Sequence, residues 1–256
     1  MPIYQSAPSA TLIDAQDLTL HVPVVTQSDR SLRANPLRLI SDFYLSRSTR
    51  VTATLLDNVN FKLLAGQRLG IIGENGAGKS TLLRVIAGIY QPSSGRLVVC
   101  GKAKGLFDIS LGMQPEATGL ENIYMRGLQM GMSLRSVRKL VPEVLEFSEL
   151  SEHIDNPLST YSTGMRLRLA IAISTMIEPD ILLLDEWIGA GDARFNEKVK
   201  ARMMSLVEGS RGLVIATHNT ALMRSLCTHG LVLQKGRMRF VGPLDEALQV
   251  YQDQIG

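Results

Sequence analysis

The stretch Arg68-Leu-Gly-Ile-Ile-Gly-Glu-Asn-Gly-Ala-Gly-Lys-Ser-Thr81 decides how this chain is read. Its first half is a short apolar run ending on glycine, the pattern of a buried strand. From Lys79 to Tyr90 the residues Leu82, Leu83, Val85 and Ile86 recur at helical spacing. Between them Gly73, Glu74, Asn75, Gly76, Ala77, Gly78, Lys79, Ser80 and Thr81 fit G-x-x-x-x-G-K-[ST]. The glycines let the backbone bend so that successive N–H groups face phosphate oxygens, and the helix start adds its positive dipole end. Lys79 offers a full charge to β- and γ-phosphates, and the Ser80 hydroxyl suits Mg²⁺. A glycine-rich turn capping a buried helix is the plainer alternative. The strand before and the helix after favour a nucleotide site.

Outward from this loop, residues 11–25 and 51–63 read as strands, Pro92–Gly95 as a turn and Arg96–Cys100 as another strand. Between residues 119 and 150 the apolar spacing turns helical, which points to a helical subdomain inserted into a sheet-containing core. Residues 163–176 continue as helix. Residues 181–185 form an apolar strand, 194–209 a helix and 212–218 a buried strand. A hairpin and a short amphipathic helix close the chain.

Two further groups carry chemistry. The strand Ile181-Leu-Leu-Leu ends in Asp185-Glu186, and neighbouring side chains of a strand point to opposite sides. Asp185 can therefore help hold Mg²⁺ while Glu186 faces the γ-phosphate, where it can orient or deprotonate water. His218 ends the next buried strand, and parallel strands bring such ends to one edge. An acidic pair at a strand end is, taken alone, about as often structural, and a lone histidine there more often so.

In this order the motifs resemble the ATP-binding subunits of ABC transporters over about residues 12–240. The loop matches their Walker A motif, ILLLDE their Walker B motif with its catalytic glutamate, Gly191-Asp192 their D-loop and His218 their switch histidine. Tyr161-Ser-Thr-Gly-Met165 resembles their signature segment. The resemblance implies an α/β fold: a P-loop NTPase with a RecA-like core, an inserted helical subdomain and an N-terminal antiparallel β region. It implies one domain over residues 1–256, with the core at about 11–115 and 177–242, helices at 116–176 and a C-terminal helix at 243–256. It also implies ATP and Mg²⁺ as ligands and a head-to-tail homodimer, in which Ser162 and the Gly164 amide cap the γ-phosphate held by the other copy. A separate membrane permease completes the expected assembly, docked on the helices around 119–150. Gln114 is the nearest candidate for the family's Q-loop glutamine, which touches Mg²⁺ and the attacking water, although it lies close to Thr118. The adenine-stacking aromatic is missing, with Val25 or His21 near its place.

The YSxGM signature, GMQPEATGLENI at 112–123 and EWIGAGDARF after the acidic pair resemble the branch exporting bacterial surface polysaccharides: O-antigen, capsule and teichoic acid. That branch implies a lipid-linked glycan cargo and a place on the cytoplasmic face of the inner membrane. Another cargo, such as a lipid or drug, is the first alternative; a regulatory switch with little turnover is the second. Ending at Gly256, the sequence leads us to expect no carbohydrate-binding domain after the ATPase.

Composition bounds these readings. A formal charge of +3 from 27 basic and 24 acidic residues does not demand nucleic acid, and a single cassette argues against it. No apolar run approaches the roughly 20 residues that span a bilayer, and the N-terminus lacks a signal-peptide pattern, so a cytoplasmic protein is expected. Cys100 and Cys227 lack metal-site spacing and read as reduced thiols. Residues 26–50 carry Arg30, Arg33, Arg38, Arg47 and Arg50 and interrupt the strand pattern. They read as a solvated insertion or as a basic amphipathic element at the membrane surface.

Overall fold

The structure, a computed structural model, describes residues 3–5, 10–23, 52–107, 112–176, 178–187 and 192–255. Val25, the insertion expected at 26–50 and Gly191 lie outside the described residues.

The apolar run Arg68–Ile72 forms β4, paired in parallel with β8 (Gly212–Ala216) on one edge and β9 (His229–Gln234) on the other. With neighbours on both edges and layers on both faces, β4 is buried continuously from Leu69 to Ile72. Beyond β8 come β7 (Ile181–Asp185) and the edge strand β6 (Ala103–Leu106), both parallel. At the other edge β10 (Arg237–Pro243) is antiparallel to β9, so the order is β10-β9-β4-β8-β7-β6. A four-stranded sheet packs beside it. In that sheet β2 (Thr11–Pro23) is antiparallel to both β3 (Thr52–Leu64) and β5 (Ser94–Cys100), and β1 (Ile3–Gln5) joins β5 in parallel. Three-residue β1 and four-residue β6 are too short to show a period in sequence, and neither was expected.

Helix α1 (Lys79–Ile86) lies between the sheets. Its Leu82, Leu83, Val85 and Ile86 bury with Leu12 and Leu63 of one sheet and Leu183 and Val214 of the other. The expected helix to Tyr90 stops four residues short (90 − 86 = 4), because Gly88 turns the chain with φ 76°. The opposite face of the six-stranded sheet is covered by α5 (Ala193–Gly209), α6 (Thr220–Leu226) and α7 (Leu244–Ile255). Along β7, Ile181 and Leu183 face α1 while Leu182 and Leu184 face α5, as a period of two requires. Each such side chain contributes about 1.5–3 kcal/mol on burial. Cys100 and Cys227 are buried, and burial pushes the Cys227 thiol up to about 12.

A third apolar cluster belongs to the helices α2 (Gly119–Gln129), α3 (Leu134–Ser148) and α4 (Thr163–Ser174). Side chains mark their starts. Thr118 Oγ1 accepts from the Glu121 amide (3.1 Å) while the Thr118 amide donates to Glu121 Oε2 (2.8 Å), a reciprocal cap. Ser133 and Ser162 cap α3 and α4. Helix α3 ends on Glu149 in the left-handed region, φ 59°. Among the described residues no helix is long and apolar enough to cross a membrane.

Asn122, fully buried on α2, organises the segment before this lobe. Its Nδ2 donates to the carbonyls of Gln114 (3.0 Å) and Thr118 (2.9 Å), and its Oδ1 accepts from the Gln114 amide (2.7 Å). Asn122→Ala removes a fully buried side chain and its bonds to the partly buried backbone of residues 114–118, and should destabilise the protein by about 1–3 kcal/mol in urea unfolding. A change within experimental error would contradict this role.

Candidate functional site

The loop after β4 owes its course to close packing and to glycine. A Cβ on Gly73 would run into the Leu233 carbonyl oxygen, while Gly76 and Gly78 take φ 78° and 105°. The turn between β9 and β10 locks the loop from outside: the Gly236 amide donates to the Ala77 carbonyl (2.9 Å), and Gly236 accepts from the Asp57 amide (2.9 Å).

Inside the loop, Lys79 Nζ donates to the carbonyls of Gly73 (2.7 Å) and Glu74 (2.9 Å). Two of its three donors are thereby used, and the ammonium is centred on the loop. Burial pulls the Lys79 pKa down, against the raising pull of Glu186 and Asp185. Ser80 Oγ donates to Asp185 Oδ1 at 2.9 Å, joining the start of α1 to the end of β7 across 105 residues. These two hard oxygen ligands suit Mg²⁺.

Glu186 follows with φ 72°, an uncommon state for a non-glycine residue that costs about 1–3 kcal/mol and gathers at functional sites. Its amide donates to the Ala216 carbonyl (2.8 Å). Its carboxylate accepts from the Thr217 hydroxyl (2.8 Å) and the His218 amide (3.1 Å), both just past β8. The acid is therefore held at a fixed place while its side chain stays exposed.

These groups line one cavity of about 720 Å³ whose wall includes Asn75, Gly76, Gly78–Thr81, Asp185, Glu186 and His218. Thr54 and Leu55 of β3 and the Lys235-Gly236 turn complete it. None of these four was read as a site residue, because sheet pairing rather than a motif brings them there; the Lys-Gly pair at the hairpin turn was the available signal. His21 is not in the wall. Its Nδ1 lies 3.1 Å from Thr54 Oγ1.

Sequence comparison now bears on the site. Residues 56–189 match the ABC transporter family. The chain belongs to that family. The cassette is 41% identical over 228 residues to the O-antigen export system ATP-binding protein RfbE of Yersinia enterocolitica, covering 86% of this chain and 95% of that protein. It is 34% identical to the teichoic acids export ATP-binding protein TagH of Staphylococcus epidermidis, covering 92% and 88%. The O-antigen export protein RfbB of Myxococcus xanthus is 40% identical, but the match covers 79% of this chain and only 46% of that longer protein. Among solved structures, a dimeric ATP-binding cassette bound to ADP and Pi superposes with a TM-score of 0.65 at 22% identity, covering 91% of this chain and 98% of that one. An ATP-binding subunit of an ABC transporter does so with 0.67 at 20%, covering 94% of each. The cassette therefore has the P-loop ATPase fold of these neighbours.

Four expected residues stand apart from the cavity: Ser162, Gly164, Gln114 and Asp192. Ser162 and Gly164 are exposed at the start of α4 and contribute nothing to its wall. Gln114 is exposed as well, and Asn122 ties its backbone to α2. Asp192 caps α5, accepting from the Phe195 amide (2.8 Å), and pairs with Arg168 of α4 (2.7 Å). Arg168 also binds Glu149 (3.0 Å) and lies over the Phe195 ring, so one guanidinium joins the helical lobe to the core.

The Phe195 amide first, and Arg168 second, hold the Asp192 carboxyl below its ordinary range. A depressed pKa contributes stability above the usual carboxylate range that is lost as pH falls through the lowered value. Arg168→Met should raise the Asp192 midpoint part of the way back, read from carboxyl carbon shifts by NMR. An unchanged midpoint would show that the ion pair does not form in solution.

Proposed function

We propose that this cassette hydrolyses MgATP as one half of a head-to-tail homodimer and thereby drives export of a lipid-linked surface polysaccharide through a separate permease. One observation carries the catalytic part: Lys79, Ser80, Asp185, Glu186 and His218 line a single cavity, with Glu186 held by Thr217 and the His218 amide. The loop amides and Lys79 would grip the triphosphate. Ser80 and Asp185 would hold Mg²⁺, which supplies charge neutralisation at the phosphates. Glu186 takes a proton from water as the new oxygen–phosphorus bond forms and the bond to the β-phosphate oxygen breaks. General-base help of this kind is worth about 10²–10⁴-fold. His218, in the same wall, would donate to the γ-phosphate.

Dimerisation is supported by what one chain leaves undone. Ser162 and Gly164 sit at an exposed helix start, outside their own cavity, and are free to meet the γ-phosphate of a partner copy. The cargo is supported by likeness to RfbE over 95% of its length and to TagH over 88%. Such a role places the chain at the cytoplasmic face of the inner membrane, with the helical lobe toward the permease.

Glu186→Gln should bind MgATP yet lower phosphate release at least about 100-fold, and it should sediment as a dimer with ATP and as a monomer without it. In cells lacking the wild-type chain, the variant should fail to restore surface polysaccharide. A variant that stays monomeric with ATP and releases phosphate at the normal rate would refute the catalytic reading. Normal surface glycan in cells without the chain would point to another cargo.

A further inference from the structure

A second cavity, of about 1030 Å³, shares no residue with the nucleotide cavity and opens between β6, α3 and α5. In its wall stands Lys104, on the edge strand beside Leu182 of β7. The Lys104 Nζ is buried and has no hydrogen-bond partner, the only side-chain nitrogen in that condition among the described residues. Its nearest charged influence is a second cation, Arg126, which is half-buried and donates to Gln129 (3.2 Å). Among the described residues neither meets a carboxylate. Of the acids in this wall, Glu143 is taken by Arg202 (2.5 Å) and Glu178 is exposed.

An ammonium out of water requires compensation by hydrogen bonds or opposite charge. Burial and Arg126 lower the Lys104 pKa to about 8, so at neutral pH most molecules still carry the charge there. The described residues supply the cation, a neighbouring cation and space, but no counter-charge. The 15-residue helix α3 also begins in this cavity, with Ser133 and Ser136 in the wall and no acid in its first turn. Its positive end adds to the same sign of field.

We propose that this cavity is an oxyanion site in which Lys104, backed by Arg126 and the start of α3, binds a phosphate group, free or carried on a small molecule. The three donors of an ammonium suit a tetrahedral oxyanion, and the volume exceeds that of phosphate alone, leaving room for an esterified one. The site is independent of ATP hydrolysis and needs no residue of the nucleotide cavity.

The test uses full-length protein saturated with Mg²⁺ and a non-hydrolysable ATP analogue, so that the phosphate loop is filled. Melting temperature is followed against inorganic phosphate, with sodium chloride at matched ionic strength as control, for wild type and Lys104→Met. Wild type should show a saturable rise specific to phosphate. Lys104→Met, which removes a buried unpaired charge, should melt no lower without phosphate and bind it about ten-fold more weakly or not at all. Glycerol 3-phosphate in a parallel titration separates the two sources: tighter binding than phosphate assigns the site to an ester, weaker binding to the free ion. Lys104→Gln serves as a second variant should the methionine protein melt without cooperativity. No phosphate-specific rise in wild type, or an equal rise in both variants, would overturn the proposal.

Discussion

Everything at the nucleotide cavity depends on parallel strands ending level. Ile71 of β4 and Asp185 of β7 both register with Ala216 of β8, so three segments leave the sheet at one edge. The phosphate loop, the Asp185-Glu186 pair and Thr217-His218 are those segments. Residues 105 apart in sequence then come within a hydrogen bond, as Ser80 and Asp185 do. A slip of one residue in β7 would turn Asp185 to the opposite face and break that contact.

Level strand ends explain the electrostatics too. Two carboxylates and one half-buried ammonium converge where phosphates would add several negative charges, and the loop amides and the start of α1 supply further positive potential. The loop is held before any ligand arrives by Gly236 and by Lys79 donating to its carbonyls. Such preorganisation reduces the ordering cost of binding. Lys104 presents the opposite case, a buried ammonium that meets no carboxylate among the described residues.

Much of this was legible in the sequence, because each motif is local. The loop, the acidic pair and the histidine each occupy a few consecutive residues at a strand end, and apolar runs locate the strands. What stayed hidden came from pairing between distant segments. Thr54 and Leu55 reach the cavity through β3, and Lys235-Gly236 through a hairpin turn. Thr217, hydrogen-bonded to Glu186, is one residue from the predicted histidine and carries no motif of its own. The Gln114 expectation rested on proximity in sequence, whereas the buried amide of Asn122 ties that backbone to the helical lobe. Arg168 was visible only as part of a helix; its bridge from Glu149 to Asp192 needs the folded lobe.

The central claim is that Lys79, centred in a preformed loop, grips a nucleotide's phosphates. Calorimetric titration of MgATP into wild type and Lys79→Met tests it most directly. The account predicts saturable binding to wild type and at least about 100-fold weaker binding to the variant, since a charge-assisted contact to the phosphates is lost. Equal affinity in the two proteins, with the variant folded, would contradict it.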